Sequence, residues 1–138
     1  MDKMKKRIQD VLTQNLTLNS FGFGLFRNAE NRKLSPEDRQ RRIDEGKQYL
    51  YDHADEVAFV VDWLSDVMKT KQLTGYESYG LKHTAERQSP TGYIANGSFI
   101  VGAIIAGFKV KQVGPNARFN MSVRSIKLKE SQVNSQRR

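Results

Sequence analysis

Few side chains in this sequence combine a reactive type with a useful spacing. The two histidines, His53 and His83, lie in different segments, and neither has a second histidine at metal-ligand spacing. His53 stands between Asp52 and Asp55, the setting of a surface or helix-junction residue. His83 has Glu86 three residues on, so the two touch if the segment is helical. Such a contact tunes a proton-transfer group or is simply structural, and no nucleophile stands beside it. Gly22-Phe23-Gly24 lacks the downstream glycine and Lys-Ser/Thr pair that cradle a phosphate. Asp52, Asp55, Glu56, Asp62 and Asp66 are spaced as a solvated helix face is, rather than as a metal cage. With no cysteine in the chain, thiol nucleophiles, disulfides and Cys-ligated metals are excluded. No catalytic set assembles. No metal and no cofactor is expected, and the chain reads as a binding protein rather than an enzyme.

What remains is charge. The formal net charge of +8 is unevenly spread: residues 1–42 hold ten Lys/Arg against five Asp/Glu, residues 43–68 one against seven, and residues 69–138 twelve against three. In the basic C-terminal third, Lys109, Lys111, Arg118, Arg124, Lys127 and Lys129 are the candidate nucleic-acid-binding residues, contacting phosphates without sequence preference. The acidic island offers a second candidate surface for a basic protein partner. It consists of Asp52, Asp55, Glu56 and Asp62, with Tyr49, Tyr51 and Tyr76 as exposed aromatics.

The elements that must position these groups are legible in part. At 138 residues the chain is one domain's length. Met4, Ile8, Val11, Leu12 and Leu16 draw one helical stripe over residues 3–16. Residues 17–34 have no helical period. There Phe21, Phe23, Leu25 and Phe26 interleave with Gly22 and Gly24, as an extended segment whose rings plug the core. A base-stacking platform beside Arg27, Arg32 and Lys33 is the other reading. Ser35-Pro36-Glu37-Asp38 is a helix start, with a capping hydroxyl, a proline at the first position and acids at the positive end of the dipole. The stripe Ile43, Leu50, Ala54, Val57, Val61, Leu64 and Met68 continues it, as one helix or as two broken at Asp52-His53. Lys69 and Lys71, with Gly75 beyond, are expected to close that helix.

A shorter helix is expected over residues 79–88, and Ser89-Pro90-Thr91-Gly92 forces a loop. The apolar run Phe99 to Phe108, opened by Asn96-Gly97 and closed by Gly107, predicts a buried helix. Its roughly ten residues are half of the twenty or so that a membrane span requires. Gly102, Ala103 and Ala106 would admit a close neighbour. Beyond Gly107 the period becomes alternating. Phe108 and Val110, then Phe119, Met121 and Val123, face one way and Lys109, Lys111, Arg118 and Arg124 the other, around a turn at Gly114-Pro115-Asn116. Ile126 and Leu128 would extend the second strand past a bulge, and residues 131–138 would be a polar basic tail after a single domain at 1–130. The predicted fold is α+β, a mainly helical single domain with a C-terminal antiparallel β-hairpin.

Two short helices before a basic hairpin suggest a winged helix in part, but residues 89–96 make too long a turn, and the apolar second helix carries almost no side chain able to read a base edge. The pattern SYGLKH, then Glu, then GYIANGSFI followed by small residues and GF resembles small uncharacterised proteins encoded by bacterial phages and plasmids. The resemblance covers about a fifth of the chain. It implies a mobile-element setting and carries no activity, cofactor or site residue with it. Counter-defence proteins such as anti-CRISPRs are one class found in such settings.

The interrupted N-terminal segment lacks the continuous apolar core of a signal peptide, and the bacterial cytoplasm is the expected location. The expected function is that of a small basic accessory protein of a phage or mobile element that binds nucleic acid or a nucleoprotein complex. The alternative is an inhibitor or adaptor that occupies a host or defence protein. No membrane partner is expected, and the oligomeric state is open.

Overall fold

A computed structural model of the chain describes residues 2–136. The uncharged run lies at its centre as helix α6 (Asn96–Ile105), whose first eight residues are all buried. The other helices are α1 (Lys3–Gln14), α2 (Ala29–Arg32), α3 (Pro36–Asp52), α4 (Ala54–Trp63), α5 (Ser78–Glu86) and α7 (Val123–Gln136). Strands β1 (Leu18–Asn19) and β2 (Gly22–Phe23) form one small antiparallel pair, and β3 (Val110–Val113) and β4 (Asn116–Phe119) form another. The expected α+β, mainly helical architecture with a hairpin towards the C-terminus is the one observed. Among the described residues no helix is long and apolar enough to cross a membrane.

Helices α1, α4 and α5 pack around α6, with β4 closing one side. Phe99 anchors this core, edge-on to Trp63 at 6.3 Å and to Phe119 at 5.9 Å. Gly102 sets the approach of α4, because a Cβ there would lie 2.5 Å from Val60 Cγ1. Helix α6 ends at Ala106, and Gly107 takes the left-handed conformation (φ 92°) that turns the chain into β3. Ser35 caps α3 by accepting a hydrogen bond from the Asp38 N–H, as the local signal predicts. His53 separates α3 from α4, at the expected break.

The N-terminal hairpin is held by a buried clasp. Asn19 Nδ2 donates to the carbonyls of Thr17, Gly22 and Gly24, and Asn19 Oδ1 accepts from the Phe21 N–H. Asn96 Nδ2 bridges the Phe21 carbonyl and Asn116 Oδ1, while the Phe23 N–H donates to the Pro115 carbonyl. A Cβ on Gly97 would collide with the Asn19 carbonyl and one on Gly22 with the Pro115 carbonyl, so residue 97 meets 19 and residue 22 meets 115 at backbone contact. Of the aromatic residues expected to plug the core here, Phe23 does so; Phe21 is exposed and Phe26 half-buried.

Two expectations fail here. Helix α4 stops at Trp63, short of Lys69, and the following segment runs instead along the outer edge of β4. There the Thr70 N–H donates to the Asn120 carbonyl, the Thr74 N–H to the Phe119 carbonyl, and Lys69 bridges Met121. Met68, placed on the buried stripe by its spacing, is therefore exposed. Paired with this strap, the chain stays extended from β4 through Met121 and goes no further as a strand. It turns at Ser122, whose hydroxyl accepts the Ser125 N–H, into α7. Ile126, Lys129 and Val133 form the buried stripe of α7, and Leu128 faces solvent. Residues 131–136 of the expected tail belong to this helix; Arg137 and Arg138 lie outside the described residues.

Candidate polyanion-binding surface

The β3–β4 register places Lys111 opposite Arg118 and Val110 opposite Phe119. Because strand side chains alternate, turning Val110, Ala117 and Phe119 inward sends Lys109, Lys111 and Arg118 outward, and all three are exposed. The strap along β4 adds cations that the sequence assigned to a helix end. Lys109 Nζ donates to the Lys71 carbonyl at 3.3 Å, and Lys69 Nζ lies 4.9 Å from the Phe108 ring centroid. The Lys69 and Lys109 side chains and the Lys71 backbone thus lie together beside Gly107. No local signal revealed this, because the strap is held by Asn120 and Phe119, far along the chain.

The six predicted phosphate contacts divide. Lys109, Lys111 and Arg118 share the hairpin face, with Arg118 in a half-exposed pair with Glu77 at 3.6 Å. Arg124 and Lys127 are exposed on α7 rather than on a strand, and Arg124 stands in the first turn, which the Met68 N–H tethers through Ser125 Oγ. Lys129 is removed from the set. It is buried, bonded to Asp66 at 2.6 Å and seated 4.8 Å from the Trp63 ring centroid, because the helical period turns it inward where an alternating strand would have turned it out. Among the described residues Lys69, Lys71, Lys109 and Lys111 have no ion-pair partner.

The acidic candidate surface is also altered. Asp55 and Asp62 are exposed at a seven-residue spacing on α4, and Asp52 accepts from Gln48 Nε2. Glu56 is not part of an open face: its carboxylate accepts from Tyr49 Oη at 2.8 Å and from the Ala95 N–H at 2.7 Å. Tyr49, Tyr51 and Tyr76, expected to be exposed, are half-buried. Burial, the Glu56 hydrogen bond and its charge raise the Tyr49 phenol well above its ordinary range.

Glu86 repeats the Glu56 device on the neighbouring residue. It accepts from the Ile94 N–H at 3.0 Å, from Lys82 Nζ at 3.2 Å and from His83 Nδ1 at 2.6 Å, so the expected His83–Glu86 contact exists. Burial alone would raise this carboxyl, but the Ile94 N–H, Lys82 and His83 together hold it below its ordinary value. Lys82 is itself buried, with its Nζ between the Tyr79 and Tyr93 rings. Two carboxylates from α4 and α5 thus grip the consecutive N–H groups of residues 94 and 95 and fix the entry to α6. With three donors on it, Glu86 serves as an anchor for that entry. Comparison of the chain with known protein families, with curated proteins and with solved structures finds no match in any of the three.

Proposed function

We propose that this protein is a small basic accessory protein that binds nucleic acid, or a nucleoprotein complex, through phosphate contacts made by the hairpin face and the strap beside it. The observation that carries this reading is that Lys69, Lys71 and Lys109 lie beside Gly107 and Lys111 stands exposed on the adjoining hairpin face, all four without carboxylate partners among the described residues. Uncompensated cations held on a common scaffold attract a polyanion over a distance of several ångströms and release its counterions on contact. Arg118, half-exposed and only loosely paired, and Arg124 extend the surface. Apart from Arg124 at the start of α7, the side chains are lysines and an arginine on strands and loops, which suits backbone contact without base readout. The mobile-element setting suggested by the sequence resemblance would put the partner in a bacterial cytoplasm, as host nucleic acid or as a defence nucleoprotein complex.

The test is a binding titration of duplex DNA, single-stranded DNA and RNA at several salt concentrations, with wild type and with K69E/K71E/K109E/K111E. Wild-type affinity for at least one of them should fall steeply with salt, and the charge-reversed protein should lose binding. The reversed charges D55K/D62K, on the acidic surface, should leave binding intact or strengthen it. Affinity that is absent in wild type, or unchanged by the four reversals, would sink the reading.

A further inference from the structure

A second cationic feature lies away from the hairpin, at the turn after β2. A concavity of about 180 Å³ is bounded by the Gly24–Arg27 turn, α2 and the early part of α3, and Phe26, Arg27, Asn31, Arg32 and Arg39 line it. Nearby carboxylates do not neutralise these arginines. Glu30 is paired with Arg42 at 3.0 Å and Asp38 with Arg41 at 3.2 Å, while Glu37 lines a different face of α3 with Gln40 and Asp44. Arg27, Arg32 and Arg39 have no ion pair among the described residues, and the Arg39 guanidinium makes only long contacts, at 3.4 Å, to the Leu34 and Arg32 carbonyls.

The walls are built independently of any occupant. Asn28 caps α2 by accepting the Asn31 N–H, Asn31 Nδ2 donates to the Phe26 carbonyl at 2.7 Å, and Arg42 clamps Asn31 Oδ1 at 2.9 Å. The turn carrying Phe26 is therefore tied to α3 through Asn31, and Phe26 rests edge-on against Phe21. Arg27, Arg32 and Arg39 border one small hollow, and guanidinium groups carry forked donors that match tetrahedral oxyanions. A singly charged carboxylate would leave the hollow positive. A dianionic phosphoryl group balances it better. The volume is below the several hundred cubic ångströms of a site that engulfs a drug-sized ligand, so it suits a phosphoryl group with a little of what bears it, with the Phe26 ring at the rim.

We propose that this hollow is a phosphate-monoester site, filled either by the terminal phosphate of a nucleic acid strand or by a mononucleotide. It does not depend on the hairpin surface. The test is amide NMR of the whole chain titrated with uridine 5′-monophosphate, uridine, inorganic phosphate, and a short oligonucleotide with and without a 5′-phosphate. The monophosphate should shift the amides of Phe26, Arg27, Asn31 and Arg39, and uridine should not. Each of Arg27→Gln and Arg39→Gln should weaken the effect by roughly tenfold, the value of one charge-assisted hydrogen bond. Inorganic phosphate shifting the same amides would support the site and show that the phosphoryl group alone is read. Response to the 5′-phosphorylated oligonucleotide but not to the mononucleotide would support it with a strand end as the source. If no phosphate monoester shifts these amides, or if the shifts persist in both folded variants, the proposal is overturned. Shifts confined to Lys109–Arg118 would overturn it while leaving the hairpin reading untouched. Should a glutamine variant fail to fold, Arg32→Gln, on an exposed lining residue, gives the same comparison.

Discussion

Glu86 shows how much one side chain can hold. Its carboxylate neutralises a buried lysine and fixes the backbone at Ile94, so Glu86→Gln leaves Lys82 charged in a desolvated site. Breaking one side of a buried pair costs about 3–5 kcal/mol, and chemical denaturation of Glu86→Gln should show a loss of that size. The double variant Lys82→Met/Glu86→Gln should recover most of it, because a buried ion pair and an apolar replacement differ little in net stability. The same carboxylate gives a pH signature. Its folded-state pKa lies below the ordinary 4.5. The stabilisation is therefore complete above that value and is lost as the pH falls through the lower, folded one. Wild type should lose stability more steeply than Glu86→Gln as the pH is lowered from about 5; parallel acid limbs would show that Glu86 is not the group responsible. The His83–Glu86 contact was readable from a three-residue spacing on a helix. The four-residue spacing of Lys82 allows its contact too, but its burial was not readable, and the Ile94 contact needs a loop returning to α5.

At the scale of elements, close packing is localised at particular glycines. Gly102→Ala would drive a Cβ against Val60, and overpacking of this kind costs about 1–3 kcal/mol. Gly80, in α5, has nothing within 4 Å of its would-be Cβ, so Gly80→Ala should stabilise by about 0.5–1 kcal/mol through the unfolded chain. Opposite signs in thermal denaturation would bear out this contrast; a stabilised Gly102→Ala would mean that α4 and α6 stand farther apart. The start of α3, the break at His53, the burial of α6 and the two faces of the hairpin were legible because each is dictated within a few residues by caps, glycines or period. The end of α4 and the nature of residues 123–136 were not. Ile126, Leu128 and their lysine neighbours satisfy an alternating pattern as well as Ile126, Lys129 and Val133 satisfy a helical one. The partners that hold the helical choice are distant in the chain: Asp66 and Trp63 receive Lys129, and the Met68 N–H donates to Ser125 Oγ.

For the whole molecule, what could be read of the charged surface was its sign and its approximate place, not its membership. Lys129 left the set because the helical turn buries it, and Lys69 and Lys71 entered because the strap delivers them. Their contribution can be counted. If all four lysines of the hairpin face and strap touch phosphates on duplex DNA, the salt slope of log affinity should fall in magnitude by roughly 0.9 for each lysine replaced by glutamine. Single Lys127→Gln, on α7, would change the slope only if the contact area extends that far. The clasp around Asn19 has a consequence for biogenesis. Its partners are Asn96 and, through Asn96 and Phe23, Asn116 and Pro115. The hairpin's own bonds lie within residues 17–24, but a ribosome working from the N-terminus must deliver more than three quarters of the described polypeptide before Pro115 and Asn116 can lock it in place. Until then Phe23 travels without its β4 neighbours, and the nascent chain should be a client for chaperones that recognise apolar segments.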